Sequence, residues 1–441
     1  MSQNRREFLG VAAGVGLTLW EASGVRAEDK PIIPTTRKEG EPIRFACIGV
    51  GGKGDSDTAD AARLGEVVAI CDIDEGTLNR AKSRRYPDAK VFTDYRQMFA
   101  EIPGEFDAVT VSIPDHHHAS AALRAMRMGK HTFCQKPLTH NLAEARQMAD
   151  TARKMRVATQ MGNQGTADPR LRRNAARLRA GLVGHVTELH IWTNRPIWPQ
   201  GGKRAEPQPV PPTVHWDTWI GPAPERPYAP GYHSFAWRGW WDFGSGALGD
   251  MGCHTLNMPF MGLDLRNPIS VQATTSGSNH DSYPSSSEIT YIFGKTKTRP
   301  AIKMVWYDGG KRPDPALFDG RALNESGAIV LGDKGKLYIP GDYAGDDGVL
   351  LGGVEIGEVT YPESPGHFEE FIRAIRTGVP AMSNFPGYAG PLAEMVLLGN
   401  LAVWADGQKL DWDAKKLRVK NVKGLEPLIH GTYRKGWELP R

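Results

Sequence analysis

From Ile43 to about Asn163 the chain alternates short apolar runs with stretches of helical period. The runs are Ile43 to Val50, Val67 to Cys71, Asp107 to Ile113, His131 to Cys134 and Val157 to Met161. Between them, His118 to Met128 and Ala143 to Met155 set Ala, Leu and Met on one face and Arg, Gln or Asp on the other. Strand and helix alternating in this way predict a doubly wound parallel sheet with crossover helices. Past residue 185 the period changes. Val186 to Thr193, Ile269 to Thr275, Glu288 to Phe293, Ala301 to Tyr307 and Gly327 to Leu331 alternate apolar and polar residues without long helices between them, which predicts a large open, mainly antiparallel sheet. Helical patterns return at Gly366 to Arg376 and Pro391 to Trp404, and these helices are expected to pack back on the first domain. The fold class is thus α/β: a doubly wound domain at 43–163, then an α+β domain at 164–441 for substrate binding and oligomerisation.

Between Asn194 and Trp240 the chain is dense in Pro and Trp, and seven of its 12 Trp fall from Trp192 to Trp241. This stretch reads as long loops over one face of the second sheet. At the N-terminus, Arg5 and Arg6 precede Glu7-Phe8-Leu9, an apolar run continues to Trp20, and Val25-Arg26-Ala27 offers small residues at the cleavage spacing. Residues 1–27 therefore read as a twin-arginine (Tat) signal peptide of a periplasmic protein, and 28–42 as a flexible lead-in. The apolar run of 13 residues falls short of the roughly 20 that span a bilayer, so no membrane contact is expected after cleavage. Of the four cysteines, Cys47, Cys71 and Cys134 sit in or at the ends of predicted interior strands, and all four, with Cys253, read as buried free thiols. Lys plus Arg total 54 against 50 Asp plus Glu; a net charge of +4 gives no field that would gather nucleic acid, and points to a small-molecule partner.

Gly49-Val50-Gly51-Gly52-Lys53-Gly54 follows the first predicted strand and leads into a helical stretch, which is the setting a dinucleotide-binding G-x-G-x-x-G requires. Gly49 permits the turn, Gly51 lets the backbone approach a pyrophosphate, and Gly54 lets helix pack against strand. Gly52 and Lys53 complete the loop at a helix N-terminus, where amide hydrogens and the dipole favour an anion. Asp72 ends the next strand, where a carboxylate binds ribose hydroxyls and repels a 2′-phosphate, so the cofactor of this Rossmann domain is expected to be NAD rather than NADP.

Gln135-Lys136-Pro137 ends the His131 to Cys134 run, at the sheet edge where such folds bind ligands. Much later, Asp250 and His254 stand four residues apart and share one face if helical. Together they supply groups for the proton transfer that accompanies hydride transfer from a secondary alcohol. A carboxylate and an imidazole at this spacing also suit zinc, but no third ligand is evident and no metal is assigned. The chain resembles the Gfo/Idh/MocA family of sugar and inositol oxidoreductases. The resemblance rests on the glycine loop, Ile113-Pro114-Asp115-His116-His117-His118, Lys136-Pro137, Gly181-Leu182-Val183-Gly184-His185-Val186, Asp250-x-x-x-His254 and His367-Phe368-Glu369-Glu370-Phe371. It implies that Lys136 contacts the reacting hydroxyl, that His254 exchanges its proton, and that Asp250 orients lysine, histidine or sugar. It also places Pro114, His118, Gln135 and Lys136 beside the cofactor. The family usually has Glu where this chain has Gln135, and loss of a carboxylate beside the ammonium is expected to lower the lysine pKa.

For the substrate, Trp198, Trp237 and Trp241, with Trp216 and Trp240, offer flat faces for sugar C–H groups or else pack loops, and Asn163, Asn194 and Arg195 supply polar contacts. The expected function is NAD-dependent oxidation of a secondary hydroxyl on a sugar, polyol or glycoside. Export implies that the cofactor stays tightly bound and is recycled in place. The alternatives are an NAD-dependent glycosidase working through a transient 3-keto sugar, and a non-catalytic sugar- or cofactor-binding protein. A homo-oligomer through the C-terminal sheet is expected.

Overall fold

β1 (Arg44–Ile48) is buried from its second residue on, and it runs parallel to β2 (Glu66–Cys71) on one side and β4 (Ala108–Val111) on the other. These strands form the centre of the first domain in a computed structural model that describes residues 30–354 and 357–440. The expected signal peptide, 1–27, lies outside the described residues. With β3 (Lys90–Phe92), β5 (His131–Cys134) and β6 (Thr159–Met161) the strands form a six-stranded parallel sheet in the order β3-β2-β1-β4-β5-β6. Strand order reverses between β1 and β4, which opens a crevice at the carboxyl ends of these strands. The apolar runs did not foreshadow β3, an edge strand of three residues with two exposed side chains. The crossover helices are α1 (Lys53–Leu64), α2 (Glu75–Arg84), α3 (Tyr95–Glu101), α4 (Asp115–Arg127) and α5 (Leu142–Met155).

After α6 (Pro169–Arg179), β7 (Val186–Trp192) opens a nine-stranded sheet. It is completed by β8 (Ser270–Thr275), β9 (Ser287–Phe293), β10 (Ile302–Tyr307), β11 (Gly327–Gly332), β12 (Lys336–Pro340), β13 (Val349–Leu351), β14 (Leu410–Asp413) and β15 (Arg418–Val419), in the order β13-β12-β11-β7-β10-β9-β8-β14-β15. Among the described residues its neighbours pair antiparallel except β7 with β10. The short helices α7 (Trp216–Ile220), α8 (Gly246–Thr255) and α9 (Asn257–Leu263) interrupt the strands, and α10 (His367–Thr377), α11 (Gly390–Trp404) and α12 (Glu426–His430) follow later.

α10 is strongly amphipathic and lays Phe368 and Phe371 against Phe45 and Phe133 of the first sheet, with Phe133 and Phe368 ring centroids 5.1 Å apart. α11 is apolar all round, as a helix buried on every side must be, and packs against α5, α8 and β8. It therefore backs α8, the helix of Asp250 and His254. All four cysteines are buried and free.

Two segments depart from expectation. Residues 30–42 are docked rather than loose: the Ile33 and Thr35 N–H groups donate to Arg156 O and Ile375 O at 2.8 Å, and Arg37 pairs with Asp107 at 2.6 Å. The Trp-rich stretch meets the second sheet at its β8–β9 connection, where Gly201 N–H donates to Tyr283 O at 2.7 Å, but its aromatic centre lies elsewhere. Trp219, Tyr232, Trp237, Trp240 and Phe243 form a small core of their own against Ile73 and Trp216. From it the chain reaches the β2–α2 turn, where Glu75 N–H donates to Thr213 O and His215 N–H to Ile73 O, both at 2.9 Å. Aromatic residues at this density bury one another, and the lobe they build closes on the first domain.

Candidate active site

The glycine loop is built by exclusion. Gly49 has φ 78°, and a Cβ there would stand 2.2 Å from Ser112 O; one at Gly54 would stand 2.1 Å from Gly49 O. Only glycine lets α1 start this close to β1 and β4. The Asp72 carboxylate accepts from Val50 N–H at 3.0 Å and from Asp74 N–H at 3.1 Å, so it braces the loop; burial pushes its pKa up against these two donors. Lys53 reaches Ser56 at 2.8 Å and Asp57 at 2.5 Å at the start of α1. A glycine cradle, a helix N-terminus, a lysine and a strand-end carboxylate fit the pyrophosphate and ribose of a dinucleotide.

Gln135 faces this loop and not the lysine that follows it. Its Nε2 donates at 2.8 Å to Asp57, a buried carboxylate that also accepts from Ser112 Oγ at 2.7 Å. The expected tuning of Lys136 by the missing glutamate is thereby corrected: the carboxylate at the lysine is Asp250, and position 135 answers to Asp57. Gln135→Glu sets two buried carboxylates together, so one of them holds a proton in the folded state more tightly than in the unfolded one. The variant is expected to lose about 1–3 kcal/mol near neutral pH and to recover as pH falls, because proton uptake then favours the folded form. Denaturant unfolding at two pH values checks this, and Asp57→Asn in the same chain should restore stability.

His118 is buried with Nε2 at 2.7 Å from Ile113 O and Nδ1 at 2.8 Å from Pro137 O, so it ties the Pro114 turn to the Lys136-Pro137 turn. His116 and His117 both set Nε2 at Trp219 O, at 3.0 and 2.9 Å, and so anchor the aromatic lobe to α4.

The two turns bring Lys136 to α8. Its Nζ donates to Asp250 Oδ1 at 2.8 Å and to Asp250 O at 3.0 Å. An ammonium has three N–H donors, so one is left for an oxygen in the crevice. Arg238 Nε lies 3.2 Å from the same Oδ1, and Arg195 Nε 3.9 Å from Oδ2. Burial would raise the Asp250 carboxyl, but Lys136 and Arg238 outweigh it and hold it well below the usual carboxylate range. Asp250 is therefore a fixed counter-ion and no proton acceptor. His254 is the reverse case. Burial, and after it the charge of Lys136, drive its pKa well below 6.5; its Nδ1 is buried without a hydrogen-bond partner among the described residues, and the Tyr343 ring stands edge-on at 4.8 Å. The imidazole is thus neutral at working pH and free to accept a proton, while the same shift makes it a weaker base than a solvated histidine. Since protonation below the depressed pKa removes that capacity, the acid limb of kcat/KM is expected well below pH 6.5; a limb at or above 6.5 contradicts this assignment.

The other expected substrate contacts are spread more widely. Arg195 stands in the cluster, 3.6 Å from Asp342, and its Nη1 donates to Asn194 Oδ1. Trp198 and Trp237 are buried beneath the Arg238 guanidinium, 5.6 and 4.3 Å from it, so they act through that arginine rather than as open platforms. Trp241 is stacked on Tyr283 at 3.7 Å, and Asn163 is buried with Oδ1 accepting from Ser383 Oγ at 2.5 Å, while its Nδ2 has no hydrogen-bond partner among the described residues. Sequence reasoning passed over Arg238, Asp342, Tyr343 and Asp115, the buried residue 3.5 Å from Arg238 Nη1. The Trp237-Arg238 pair was the one available signal, a cation beside an aromatic face.

Residues 43–163 match the GFO_IDH_MocA family described as "Oxidoreductase family, NAD-binding Rossmann fold", and residues 181–439 match its "C-terminal alpha/beta domain". Among curated relatives, a "Glycosyl hydrolase family 109 protein" of Shewanella baltica is 33% identical over 134 residues, 28% of this chain and 28% of that protein. A "D-glucoside 3-dehydrogenase" of Escherichia coli is 34% identical over 119 residues, 26% of this chain and 32% of that protein. The chain thus spans about a third or less of the curated relatives' length. Among solved structures, the WlbA dehydrogenase of Bordetella pertussis, in complex with NADH and UDP-GlcNAcA, superposes with a TM-score of 0.60 at 16% identity, covering 85% of this chain and 99% of that one. At that identity the likeness establishes the fold.

Proposed function

The chain belongs to the Gfo/Idh/MocA oxidoreductase family, with an NAD-binding Rossmann domain, and on that premise we propose that it oxidises a secondary hydroxyl of a sugar, polyol or glycoside. The observation that carries this reading is the joining of Lys136, Asp250 and His254 at the carboxyl edge of the sheet that bears the glycine loop. The glycine loop and Asp72 would hold NAD+, which would supply the hydride acceptor for the carbinol carbon. Lys136 hydrogen-bonds the reacting oxygen with its remaining donor. Asp250 keeps that ammonium in place, and neutral His254 accepts the hydroxyl proton as the ketone forms. Reduction returns the same proton from His254.

Retention of the dinucleotide, which an exported and periplasmic enzyme needs, is supported by the aromatic lobe seated on the Ile73–Glu75 turn beside Asp72. His215→Pro removes the N–H that bonds Ile73 O, at a residue whose φ of −81° proline tolerates. NAD is expected to dissociate about tenfold faster from the variant, as measured by nucleotide retained on dialysis.

A second reading, NAD-dependent glycoside cleavage through a transient ketone, is favoured by the glycosyl hydrolase family 109 relatives. One experiment separates the readings: single sugars and chromogenic glycosides are added to the purified full chain while the reduced-nicotinamide band and aglycone release are followed. Band growth without aglycone supports the dehydrogenase. Aglycone release supports the glycosidase, and no response to any sugar contradicts both.

A further inference from the structure

Asp72 does not stand alone at the ribose end of the cofactor site. Its two oxygens accept from Asp74 N–H at 3.1 Å and Val50 N–H at 3.0 Å, and each keeps a second acceptor position for a ribose hydroxyl. Asp74 caps α2, with Oδ1 accepting from Gly76 N–H at 2.9 Å and Oδ2 from Thr77 Oγ1 at 3.2 Å. Arg80, one turn further along α2, donates to the same Thr77 hydroxyl at 3.0 Å. A carboxylate at this end binds the ribose diol and repels a 2′-phosphate, whereas an arginine accommodates one. The first domain by itself therefore holds groups suited to either dinucleotide.

The second domain adds His233. The aromatic lobe carries it, and its Nε2 lies 3.9 Å from Asp74 Oδ2 with both side chains partly buried. Its ring stands edge-on to Trp219, centroids 6.4 Å apart, and Trp219 packs in one apolar cluster with Ile73, the residue between the two carboxylates. His215 fastens the same lobe a second time, with Nε2 at 2.8 Å from Glu75 Oε1. The imidazole is thus held in place beside Asp74, yet 3.9 Å is too long for a hydrogen bond. Among the described residues no hydrogen bond takes up its ring nitrogens. Burial pushes its pKa down against the pull of Asp72 and then Asp74, so the ring is uncharged at neutral pH. A neutral imidazole offers one donor and one acceptor, which matches a diol and brings no positive charge to a phosphate.

We propose that His233 completes the ribose site and decides for NAD over NADP: its imidazole bonds the ribose diol beside Asp72 and occupies the space a 2′-phosphate needs to reach Arg80. This rests on the dinucleotide site and is independent of which hydroxyl is oxidised.

The test reads binding and uses no sugar. The full chain is loaded with NADH, and NAD or NADP is titrated in to equilibrium while the fluorescence of bound reduced nicotinamide reports displacement. Wild type, His233→Ala and His233→Asn are compared. His233→Ala is expected to lose about tenfold in NAD affinity and to bind NADP as well as the wild type or better, so the preference for NAD falls about tenfold or more. His233→Asn keeps a side-chain donor and acceptor and is expected to recover most of the NAD affinity. Tryptophan fluorescence, which reports Trp219, controls for the integrity of the lobe. An equal loss for both nucleotides in His233→Ala makes the residue packing alone and overturns the specificity role. Unchanged affinities in that variant overturn the contact with the ribose. If the wild type binds no NADH, the cofactor reading fails and this assignment with it, whereas a protein that binds NAD and oxidises no sugar overturns only the oxidation reading.

Discussion

Replacing Lys136 with methionine is expected to lower kcat by about three orders of magnitude while the protein keeps its NAD. Methionine matches the stem in length and bulk, so packing at the Lys136-Pro137 turn is preserved. What disappears is the charge that hydrogen-bonds Asp250 at 2.8 Å and, through its third donor, the substrate oxygen. Asp250 does not become an orphaned buried charge, because Arg238 at 3.2 Å and Arg195 at 3.9 Å still face it. The fold should therefore hold and the loss should lie in kcat. Single-turnover rates, with nucleotide content measured on the same sample, check this. A loss of less than tenfold would remove Lys136 from the chemistry.

The second large effect is structural. Arg172 of α6 and Glu370 of α10 form an ion pair 2.5 Å long with both side chains only 1% exposed. Arg172 also donates to Thr166 O at 2.7 Å and Pro362 O at 3.0 Å, and Glu370 accepts from Met382 N–H at 3.1 Å. Since α10 packs on the first sheet and α6 precedes the second, the pair fastens the two domains together. Arg172→Met leaves a buried carboxylate with one backbone donor, and breaking one side of such a pair costs on the order of 3–5 kcal/mol. Met at both positions removes both charges and should recover most of that loss. A two-domain chain does not unfold in one step, so hydrogen exchange along α10 is the better readout than a single melting temperature. Unchanged exchange in the single variant, or a double variant no better than the single, would contradict the account.

How much of this the sequence disclosed depends on the range of the interaction. The glycine loop, Asp72 and Lys136 were legible because each is fixed by a strand end a few residues away, and Asp250 and His254 because one helical turn relates them. The strand pattern carried the centres of both sheets, but not the three-residue β3, where only Phe92 is even partly buried, nor β12 to β15, four short strands at the two edges of the second sheet. Arg238 and Tyr343 were hidden because their partners lie 12 and 89 residues away and no periodicity links them. The Trp residues misled for a related reason. Aromatic density signals burial or binding equally well, and only the fold reveals that Trp198 and Trp237 carry a guanidinium while Trp241 stacks on Tyr283. Gln135 is the sharpest case. Its neighbour in sequence is Lys136, yet its neighbour in space is Asp57, 78 residues earlier.

The central claim is direct hydride transfer from a carbinol carbon to the resident dinucleotide beside Lys136 and His254. A single turnover of the NAD-loaded protein with a responsive sugar carrying deuterium on its ring carbons tests it most directly. The account predicts deuterium in the recovered nicotinamide and a rate slowed by the label, with the same transfer about a thousandfold slower in Lys136→Met. A reduced nicotinamide free of deuterium, or transfer at an unchanged rate in that variant, would contradict it.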